Sequence, residues 1–238
     1  MKKNLEGKIL NITEIAKEIF EIKIESELNE ISAGQFFQVL CPPKTMRRPF
    51  GAAGFEDGVL KGIFKLRGDG TKYLSSLKAG DTVHFTAPLG NGFNIENKKS
   101  LIIGAGVGTA PLLYLRDTLK VQNIENYFIA GFKSKEEEIK GADFAQYGGT
   151  ILDFVEPYIQ KFNPEKIYAC APDIVLKKIS EIASKYQIET EAALEKTMAC
   201  GIGVCKGCVI KVIKNGEIQN ATICHDGPVF KASEVVWE

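Results

Sequence analysis

The sequence has no excess of charge of either sign. Its 238 residues carry 30 lysines and arginines against 30 aspartates and glutamates, so the formal net charge is zero. A chain balanced in this way does not present the strongly basic surface that binds nucleic acid or an anionic membrane. We therefore predict that the protein has neither kind of partner.

Long apolar segments are also absent. The longest run without a charged residue, 101–115, is too short and too rich in glycine to cross a bilayer. The N-terminal stretch MKKNLEGKIL carries lysines but no sustained apolar run behind them, so it does not resemble a secretory signal. Together these features predict a cytoplasmic protein with no membrane partner, in which cysteine thiols stay reduced.

Histidine is scarce, at two residues, whereas cysteine occurs six times. In a reducing compartment, cysteines indicate metal or redox ligands before they indicate disulfides. Four of them follow the spacing C-x4-C-x2-C-x15-C: Cys200, Cys205, Cys208 and Cys224. Plant-type [2Fe–2S] ferredoxins have the same initial spacing, while structural zinc sites usually supply two C-x2-C pairs, and only one is present here. We predict a [2Fe–2S] cluster, with a zinc site or four unliganded thiols as the alternatives.

Glycines separate these cysteines at 201, 203 and 207. A cluster's sulfur atoms accept backbone N–H bonds, so the loop must wrap closely around it, and larger side chains would hold the backbone away. A Rieske-type site would need two histidine ligands, and only His225 lies near the cysteines. We expect Cys41 to be a small buried hydrophobe.

The pattern of residues predicts three parts. Residues 1–96 contain short, β-branched runs broken by Gly, Pro, Asp and Asn, which is typical of a small β-barrel or sandwich. Residues 97–189 alternate strand and helix patterns, which indicates an α/β nucleotide-binding domain with a parallel sheet. Residues 190–238 form a small cysteine-rich domain. In the second part we expect strands at 100–106, 126–132 and 166–171 and helices at 107–120, 135–147 and 172–186.

The stretch LIIGAGVGTAP places three alternate glycines between a predicted strand and a predicted helix. Such a turn lets the backbone approach a pyrophosphate, whose charge then lies at the helix N-terminus. Because the spacing departs from G-x-G-x-x-G, a tight strand–helix turn without a ligand is an alternative.

The stretch MRRPFGA, which contains Arg47 and Arg48, ends a predicted barrel strand, and GDGTKYLSSL follows about 20 residues later. An arginine fork suits a phosphate, and a helix opened by Gly70 and Thr71 offers a second phosphate contact. A solvated basic turn and an ordinary helix cap are the alternatives.

Together these motifs resemble the ferredoxin–NADP reductase superfamily: an R-P turn, a G-x-G-T segment, APLGNGF, and then G-x-G-x-G-x-A-P. The C-terminal ALEKTMACGIGVCKGCVIKV and CHDGPVF make the chain similar to the family of electron-transfer subunits of NAD-dependent dihydroorotate dehydrogenases. This resemblance extends from about residue 5 to the final VVW.

The resemblance implies FAD in the barrel domain and a nicotinamide dinucleotide, NAD by family, in the second domain. The positions matching the FAD motifs are Arg48, Pro49, Phe50, Gly51, Ile63, Phe64, Lys65, Gly70 and Thr71. Those matching the dinucleotide turn are Gly104, Gly106, Gly108, Thr109 and Ala110. Gly51 stands where the superfamily often has Ser or Thr, which leaves its backbone N–H as the donor to the flavin. Cys170 matches a cysteine near the nicotinamide, with Ala171 replacing glycine, and filling the end of a buried strand is its alternative role.

The family further implies a partner, an FMN-containing catalytic subunit that oxidises dihydroorotate, in a heterotetramer of two plus two. Electrons would pass from that FMN through [2Fe–2S] and FAD to NAD⁺ in pyrimidine biosynthesis, with protein groups supplying geometry and electrostatics. This path requires no catalytic side-chain base, so we expect His84 and His225 to be structural. One alternative is an FAD/[2Fe–2S] reductase module of another complex, of the hydrogenase, hydroxylase or transhydrogenase type. A zinc-stabilised binding protein without enzymatic activity is the other alternative.

Overall fold

A computed structural model of the protein describes residues 3–237. The first part is a closed barrel of six antiparallel strands, confirming the predicted barrel class. Its strands are β1 (Lys3–Ala16), β2 (Ile19–Ser26), β3 (Phe36–Val39), β4 (Arg48–Glu56), β5 (Val59–Lys65) and β6 (Thr82–Leu89), with helix α1 (Asp69–Ser76) after β5. They close in the order β1-β2-β5-β4-β3-β6.

The barrel closes because alternate side chains on its strands are apolar and point inward. Ile22 and Ile24 of β2 are buried in this way. They share one core with Phe37 of β3, Phe64 of β5 and Phe85 of β6. The expectation that MRRPFGA ends a strand is wrong, since Arg48 begins β4 and pairs with Val39.

The rest of the chain supplies a six-stranded sheet and a hairpin. Its elements are β7 (Ser100–Ala105), α2 (Thr109–Val121), β8 (Asn126–Phe132), β9 (Phe144–Tyr147), α3 (Leu152–Phe162), β10 (Lys166–Cys170), α4 (Asp173–Lys185), β11 (Glu189–Ala193), β12 (Val209–Lys214), β13 (Glu217–Thr222), α5 (Ile223–Asp226) and β14 (Val229–Lys231). The sheet order is β14-β11-β10-β7-β8-β9, in which only β14 is antiparallel to its neighbour. The strands β12 and β13 form the separate hairpin.

The sheet has a switch point between β7 and β10. From β7 the chain proceeds to β8 on one side, and it later returns to β10 on the other side. In open α/β sheets, ligands bind at the carboxyl ends of the strands where the order reverses in this way. The turn after β7 and the residues after β10 therefore lie at the expected binding edge.

Two expectations for this part of the chain differ from the structure. The stretch 135–147 is not a helix: it holds a short 3₁₀ turn (Lys135–Glu137) and then β9. Gly141 adopts φ +130°, which no helix allows, and Asp143 accepts the backbone N–H of Phe128 at 2.8 Å, which docks the segment on β8. The helix α3 was not predicted from the sequence.

After the hairpin, the C-terminal segment returns to the six-stranded sheet. The boundary predicted at 189/190 falls inside β11, and β14 pairs with β11 at the sheet edge. Phe230 and Val235 join the same buried cluster as the sheet residue Ile167. In the part of the chain that the model describes, no helix has both the length and the apolar character needed to cross a membrane.

Candidate functional site

A cavity of about 400 Å³ lies where the barrel, the α/β sheet and the C-terminal segment meet. Its barrel wall consists of Gly34, Phe36, Arg48, Pro49, Phe50, Gly51, Ile63, Phe64, Lys65, Arg67 and Thr71. Its other walls consist of Val107, Ala110, Pro111, Cys170, Ala193, Leu194, Glu195, Lys196, Met198 and Pro228. Most positions that the resemblance assigned to FAD therefore face one space. Gly70, Gly104, Gly106, Gly108 and Thr109 are not among these lining residues.

Arg48 is positioned at the cavity by its neighbours. Its Nη1 donates a hydrogen bond to the carbonyl oxygen of Met46 at 3.0 Å. Its side chain crosses Gly70, where an added Cβ would lie 2.9 Å from Arg48 Nε. Gly70 thus contributes by making room for the arginine. In the part of the chain that the structure describes, no carboxylate forms an ion pair with Arg48, so its charge is available to an anion.

Thr71 organises the start of α1 beside this arginine. Its hydroxyl oxygen accepts the backbone N–H groups of Arg67 at 2.9 Å and Gly68 at 3.2 Å. The same hydroxyl donates to the Gly68 carbonyl at 3.0 Å. These bonds fix the loop that carries Arg67 to the cavity, which gives the site a second guanidinium. The charge of Lys65 is neutralised by an ion pair, because its Nζ lies 2.6 Å from Glu137 Oε2.

Close packing between the barrel and α2 leaves no room for a side chain at Gly51. A Cβ at this position would lie 2.9 Å from Pro111 Cβ on α2. The hydrogen bonding of the sheet also sets the direction of the Gly51 N–H. Ala52 donates to the carbonyl of Gln35, the residue just before β3, so the N–H of Gly51 points the opposite way. On that side β4 is not yet paired with β5, because their pairing starts at Ala52.

The glycine turn after β7 is compact for two reasons. A Cβ on Gly108 would lie 2.6 Å from the carbonyl oxygen of Cys170, so the turn packs directly under the end of β10. Gly106 has φ +55° and nothing within 4 Å of its would-be Cβ, so its left-handed backbone faces open space. The hydroxyl of Thr109 is fully buried and has no hydrogen-bond partner among the described residues. These features fit a turn that accommodates a phosphate.

Cys170 lies at the junction of this turn and the cavity. Burial raises the pKa of its thiol well above the ordinary range, and the nearby Glu195 raises it further. Desolvation also raises the pKa of the Glu195 carboxyl, with Asp173 contributing in the same direction. The thiol is therefore protonated at neutral pH and is not a nucleophile.

The four predicted ligands converge in two pairs. In the first pair, the N–H of Cys205 donates to Cys200 Sγ at 3.3 Å, and in the second, the N–H of Cys224 donates to Cys208 Sγ at 3.4 Å. The N–H of Gly203 donates to Cys224 Sγ at 3.2 Å. Backbone donors therefore point at sulfur throughout the loop, as a negatively charged cluster requires.

The electrostatics of the two pairs differ. Burial raises the pKa of the Cys200 thiol, but backbone N–H groups, led by those of Cys205 and Ile202, outweigh it and lower the pKa to about 6. Burial and the neighbouring Cys208 raise the pKa of Cys224 to about 12. The loop thus favours a thiolate at Cys200, while the Cys224 thiol needs a metal to displace its proton.

The donor set fits a two-iron cluster better than a single ion. The thiols come as two pairs, Cys200 with Cys205 and Cys208 with Cys224, which gives two ligands for each of two irons. A Cβ on Gly203 would lie 2.9 Å from the Cβ of His225, so the cysteine loop passes close to this side chain. The ring of His225 lies 3.1 Å from the carboxylate of Asp226, and the ring of His84 lies 3.5 Å from the carboxylate of Glu6.

The cysteine segment is attached to the barrel. The side-chain amide of Asn91, just after β6, donates to the carbonyls of His225 and Asp226 at 3.2 and 3.0 Å. Its backbone N–H donates to Gly227 at 2.6 Å. These three bonds hold the residues next to Cys224 against the barrel.

Large apolar side chains around this segment remain exposed. They lie in the cysteine loop and on the β12–β13 hairpin: Ile202, Val204, Val209, Ile213 and Ile218. Val204 is 74% exposed, although it lies next to Cys205. Such an apolar surface indicates contact with another protein.

Several residues of the cavity were not predicted from the sequence. Arg67 immediately precedes the GDGTKYLSSL segment, and Glu195, Lys196 and Met198 lie inside the C-terminal ALEKTMACGIGVCKGC segment, but none of the four was assigned to a site. The charge of Arg67, within KLRGDGT, was the available signal. Lys196 lies at the wall with its Nζ 2.9 Å from Asp173, a contact that no sequence pattern indicates.

Comparison with known proteins agrees with this geometry. Residues 195–236 match the family model described as the iron–sulfur cluster binding domain of dihydroorotate dehydrogenase B. The chain is 36% identical to the dihydroorotate dehydrogenase B (NAD(+)) electron transfer subunit of Caldanaerobacter subterraneus subsp. tengcongensis, with 100% of both chains covered. It is 32% identical to the corresponding subunit of Streptococcus mutans, over 99% of this chain and 98% of the relative.

Solved structures share the fold. An NADH-dependent reduced ferredoxin–NADP oxidoreductase aligns with a TM-score of 0.84 at 27% identity, over 97% of this chain and 90% of the other. Phthalate dioxygenase reductase aligns with a TM-score of 0.69 at 16% identity, over 92% of this chain and 76% of the other.

Proposed function

This chain belongs to the family of electron transfer subunits of dihydroorotate dehydrogenase B (NAD(+)), and we propose that it links an FMN-containing, dihydroorotate-oxidising catalytic subunit to NAD⁺ in pyrimidine biosynthesis. The observation that carries the proposal is the shared cavity. The barrel turn, Val107 and Ala110 of the dinucleotide turn, and the segment that precedes the cysteine loop all line it.

The barrel wall of the cavity is assigned to FAD. Arg48 and Arg67 supply positive charge for the pyrophosphate, and α1 starts beside them with Gly70 and Thr71. The apolar residues Pro49, Phe50, Ile63 and Phe64 line the remainder with Lys65. The outward N–H of Gly51 serves as the hydrogen-bond donor to the flavin ring.

The α/β wall is assigned to NAD. The left-handed Gly106 and the unpartnered Thr109 hydroxyl lie at the switch point of the sheet, where Gly104, Gly108 and Ala110 complete the turn. Cys170, protonated and at the end of β10, packs beside the nicotinamide position. When bound, FAD exchanges a hydride with NAD⁺ and single electrons with a [2Fe–2S] cluster held by Cys200, Cys205, Cys208 and Cys224.

We place the three domains at 1–96, 97–189 and 190–238, with the last domain facing the catalytic subunit. Support comes from the exposed apolar side chains around the cysteine loop, which a partner would cover. The proposed assembly is a heterotetramer of two plus two. All six cysteines are free thiols, which supports a cytoplasmic location.

The test begins with the chain purified anaerobically alone and with its catalytic subunit. The chain alone should contain FAD, two irons and two acid-labile sulfides, and should oxidise NADH with an artificial acceptor. Orotate should form from dihydroorotate only when both subunits are present. Dihydroorotate turnover by this chain alone, or one zinc without iron, would contradict the proposal.

A second candidate is a reductase module that serves another complex. The similarity to a ferredoxin–NADP oxidoreductase, at a TM-score of 0.84, favours it. This candidate predicts the same cofactors but no orotate formation with the dihydroorotate-oxidising partner. Rapid NADH-dependent reduction of ferredoxin would support it instead.

The ligand assignment is tested by Cys205→Ser. We expect the visible absorption and electron paramagnetic resonance of the cluster to be lost while FAD is retained, because Cys205 is exposed and supplies only a cluster thiolate. Cys41→Ala is the matched control, since Cys41 is buried in the barrel core. A normal cluster in Cys205→Ser would refute the assignment.

A further inference from the structure

Gln38 is a buried polar side chain that the proposed function does not use. It lies in β3 with 1% of its surface exposed. Its Nε2 is completely buried and has no hydrogen-bond partner among the described residues. Because a buried amide without a partner is destabilising, a native acceptor for this donor is expected.

The surroundings of Gln38 indicate where that acceptor lies. The amide lies next to Gly201, which directly follows Cys200. A Cβ on Gly201 would lie 2.2 Å from Gln38 Oε1, 2.4 Å from Cδ and 2.7 Å from Nε2. The whole amide group therefore abuts the cysteine loop at its first ligand.

Gln38 is also adjacent to a residue of the cavity wall. It pairs directly with Pro49 of β4, which lines the cavity wall. Directly opposite residues in an antiparallel pair have Cβ atoms about 4.5–5.5 Å apart and share one face of the sheet. Gln38 thus lies between the space assigned to the flavin and the loop assigned to the cluster.

We propose that Gln38 is a positioning residue for the iron–sulfur centre, whose Nε2 donates a hydrogen bond to a sulfur atom at the Cys200 side of the cluster. The inference rests on the proposed function, since it requires the cluster. A donor to cluster sulfur stabilises the reduced, more negative state, so this bond raises the reduction potential of the cluster. It also fixes the cluster relative to β3 and β4, the strands that line the flavin space.

The test compares the reduction potential of the cluster in four forms of the chain that have been purified with FAD bound. Gln38→Met removes the donor with little change in length. We expect its equilibrium constant for cluster reduction to fall about tenfold, which for one electron corresponds to about 59 mV. The reduced wild-type cluster should also show an exchangeable proton coupling in pulsed electron paramagnetic resonance that Gln38→Met lacks.

Thr86→Val is the matched control. Thr86 pairs with Gln38 from β6 and is also buried, but its hydroxyl donates to Asn4 Oδ1 at 2.7 Å within the barrel. Its cluster potential should equal that of the wild type. Gln38→Leu should lower the potential to the same extent as Gln38→Met, because it also lacks the donor.

Three results would overturn the inference. The first is an unchanged potential in Gln38→Met, and the second is an unchanged or raised potential in Gln38→Leu. The third is loss of the cluster from both variants with FAD retained, since one hydrogen bond does not decide whether a four-thiolate site forms. Absence of iron from the wild-type chain would instead count against the proposed function.

Discussion

At the scale of single residues, the structure explains several positions by what their neighbours require. Gly51 differs from the Ser or Thr common in its superfamily, and the reason is the close approach of Pro111. Gly201 combines φ +69° with the packed amide of Gln38. The motif positions could be found in the sequence, but these neighbours could not, because they come from distant parts of the chain.

Arg48→Ala should weaken FAD binding by about 1.5–3 kcal/mol, through loss of a charge-assisted phosphate contact. Fluorescence titration of the FAD-free chain measures the change in Kd. Arg47→Ala is the control, because the Arg47 guanidinium donates to the His84 carbonyl at 3.0 Å and does not line the cavity. Equal flavin affinity in wild type and Arg48→Ala would show that this arginine does not bind the phosphate.

Gly201→Ala should lose the cluster and lower stability, because the new methyl group meets both an unfavourable φ and the Gln38 amide. Gly216→Ala separates these two causes. Gly216 has φ +79° in the hairpin turn and nothing within 4 Å of its would-be Cβ. The Gly216→Ala variant should lose about 1 kcal/mol of unfolding free energy and should retain its iron. The idea fails if iron content falls equally in both variants.

At the scale of elements, the strand and helix patterns of the α/β part were predictable wherever local periodicity was strong. The segment 135–147 was not, because its strand β9 is held by contacts with β8 and by Asp143. The helix α3 contains Pro157 in its interior, a residue that argues against helix when it is considered alone. Its buried Val155 and Ile159 pack on the sheet and outweigh that preference.

A buried charge connects the barrel to the sheet. Lys166, which begins β10, is completely buried and forms ion pairs with Glu191 at 3.0 Å and Glu189 at 3.2 Å on β11. Its Nζ also contacts Glu96 and donates to the carbonyl of Asn94, in the segment that joins the two domains. Lys166 therefore fixes that connection to the sheet.

Lys166→Met should destabilise the chain by about 3–5 kcal/mol, because it leaves a cluster of carboxylates without their buried cation. Chemical denaturation measures the free energy of unfolding. Lys99→Met removes a more exposed pair with Glu125 and should cost no more than about 1 kcal/mol. A loss below that value for Lys166→Met would show that the buried pairs contribute little.

At the scale of the whole molecule, the cysteine segment is not an independent appendage. Its last strand, β14, extends the nucleotide-binding sheet, and Asn91 ties the residues after Cys224 to the barrel. The three proposed domains therefore share buried surface. We expect cluster loss and sheet unfolding to be coupled.

Phe230→Ala tests this coupling, because Phe230 lies in β14 and is buried in the core of the sheet. We expect a loss of about 3–5 kcal/mol, with iron release and loss of helical circular dichroism in one thermal transition at a lowered Tm. Ile218→Ala, on the exposed face of the hairpin, should leave the midpoint temperatures of iron release and of unfolding unchanged. Separate transitions in Phe230→Ala would show that the segment unfolds by itself.

The sequence by itself indicated an iron–sulfur cluster, since the C-x4-C-x2-C spacing is a local pattern, and the resemblance of its motifs to a known family supplied FAD and NAD. It also indicated a small β-barrel or sandwich and a parallel sheet, because alternating and apolar runs are local too. Only the tertiary structure brought Gln38 to Gly201, Pro111 to Gly51 and β14 to β11. Such contacts join residues far apart in the chain, and their free energy arises from packing and hydrogen bonding that no local pattern encodes.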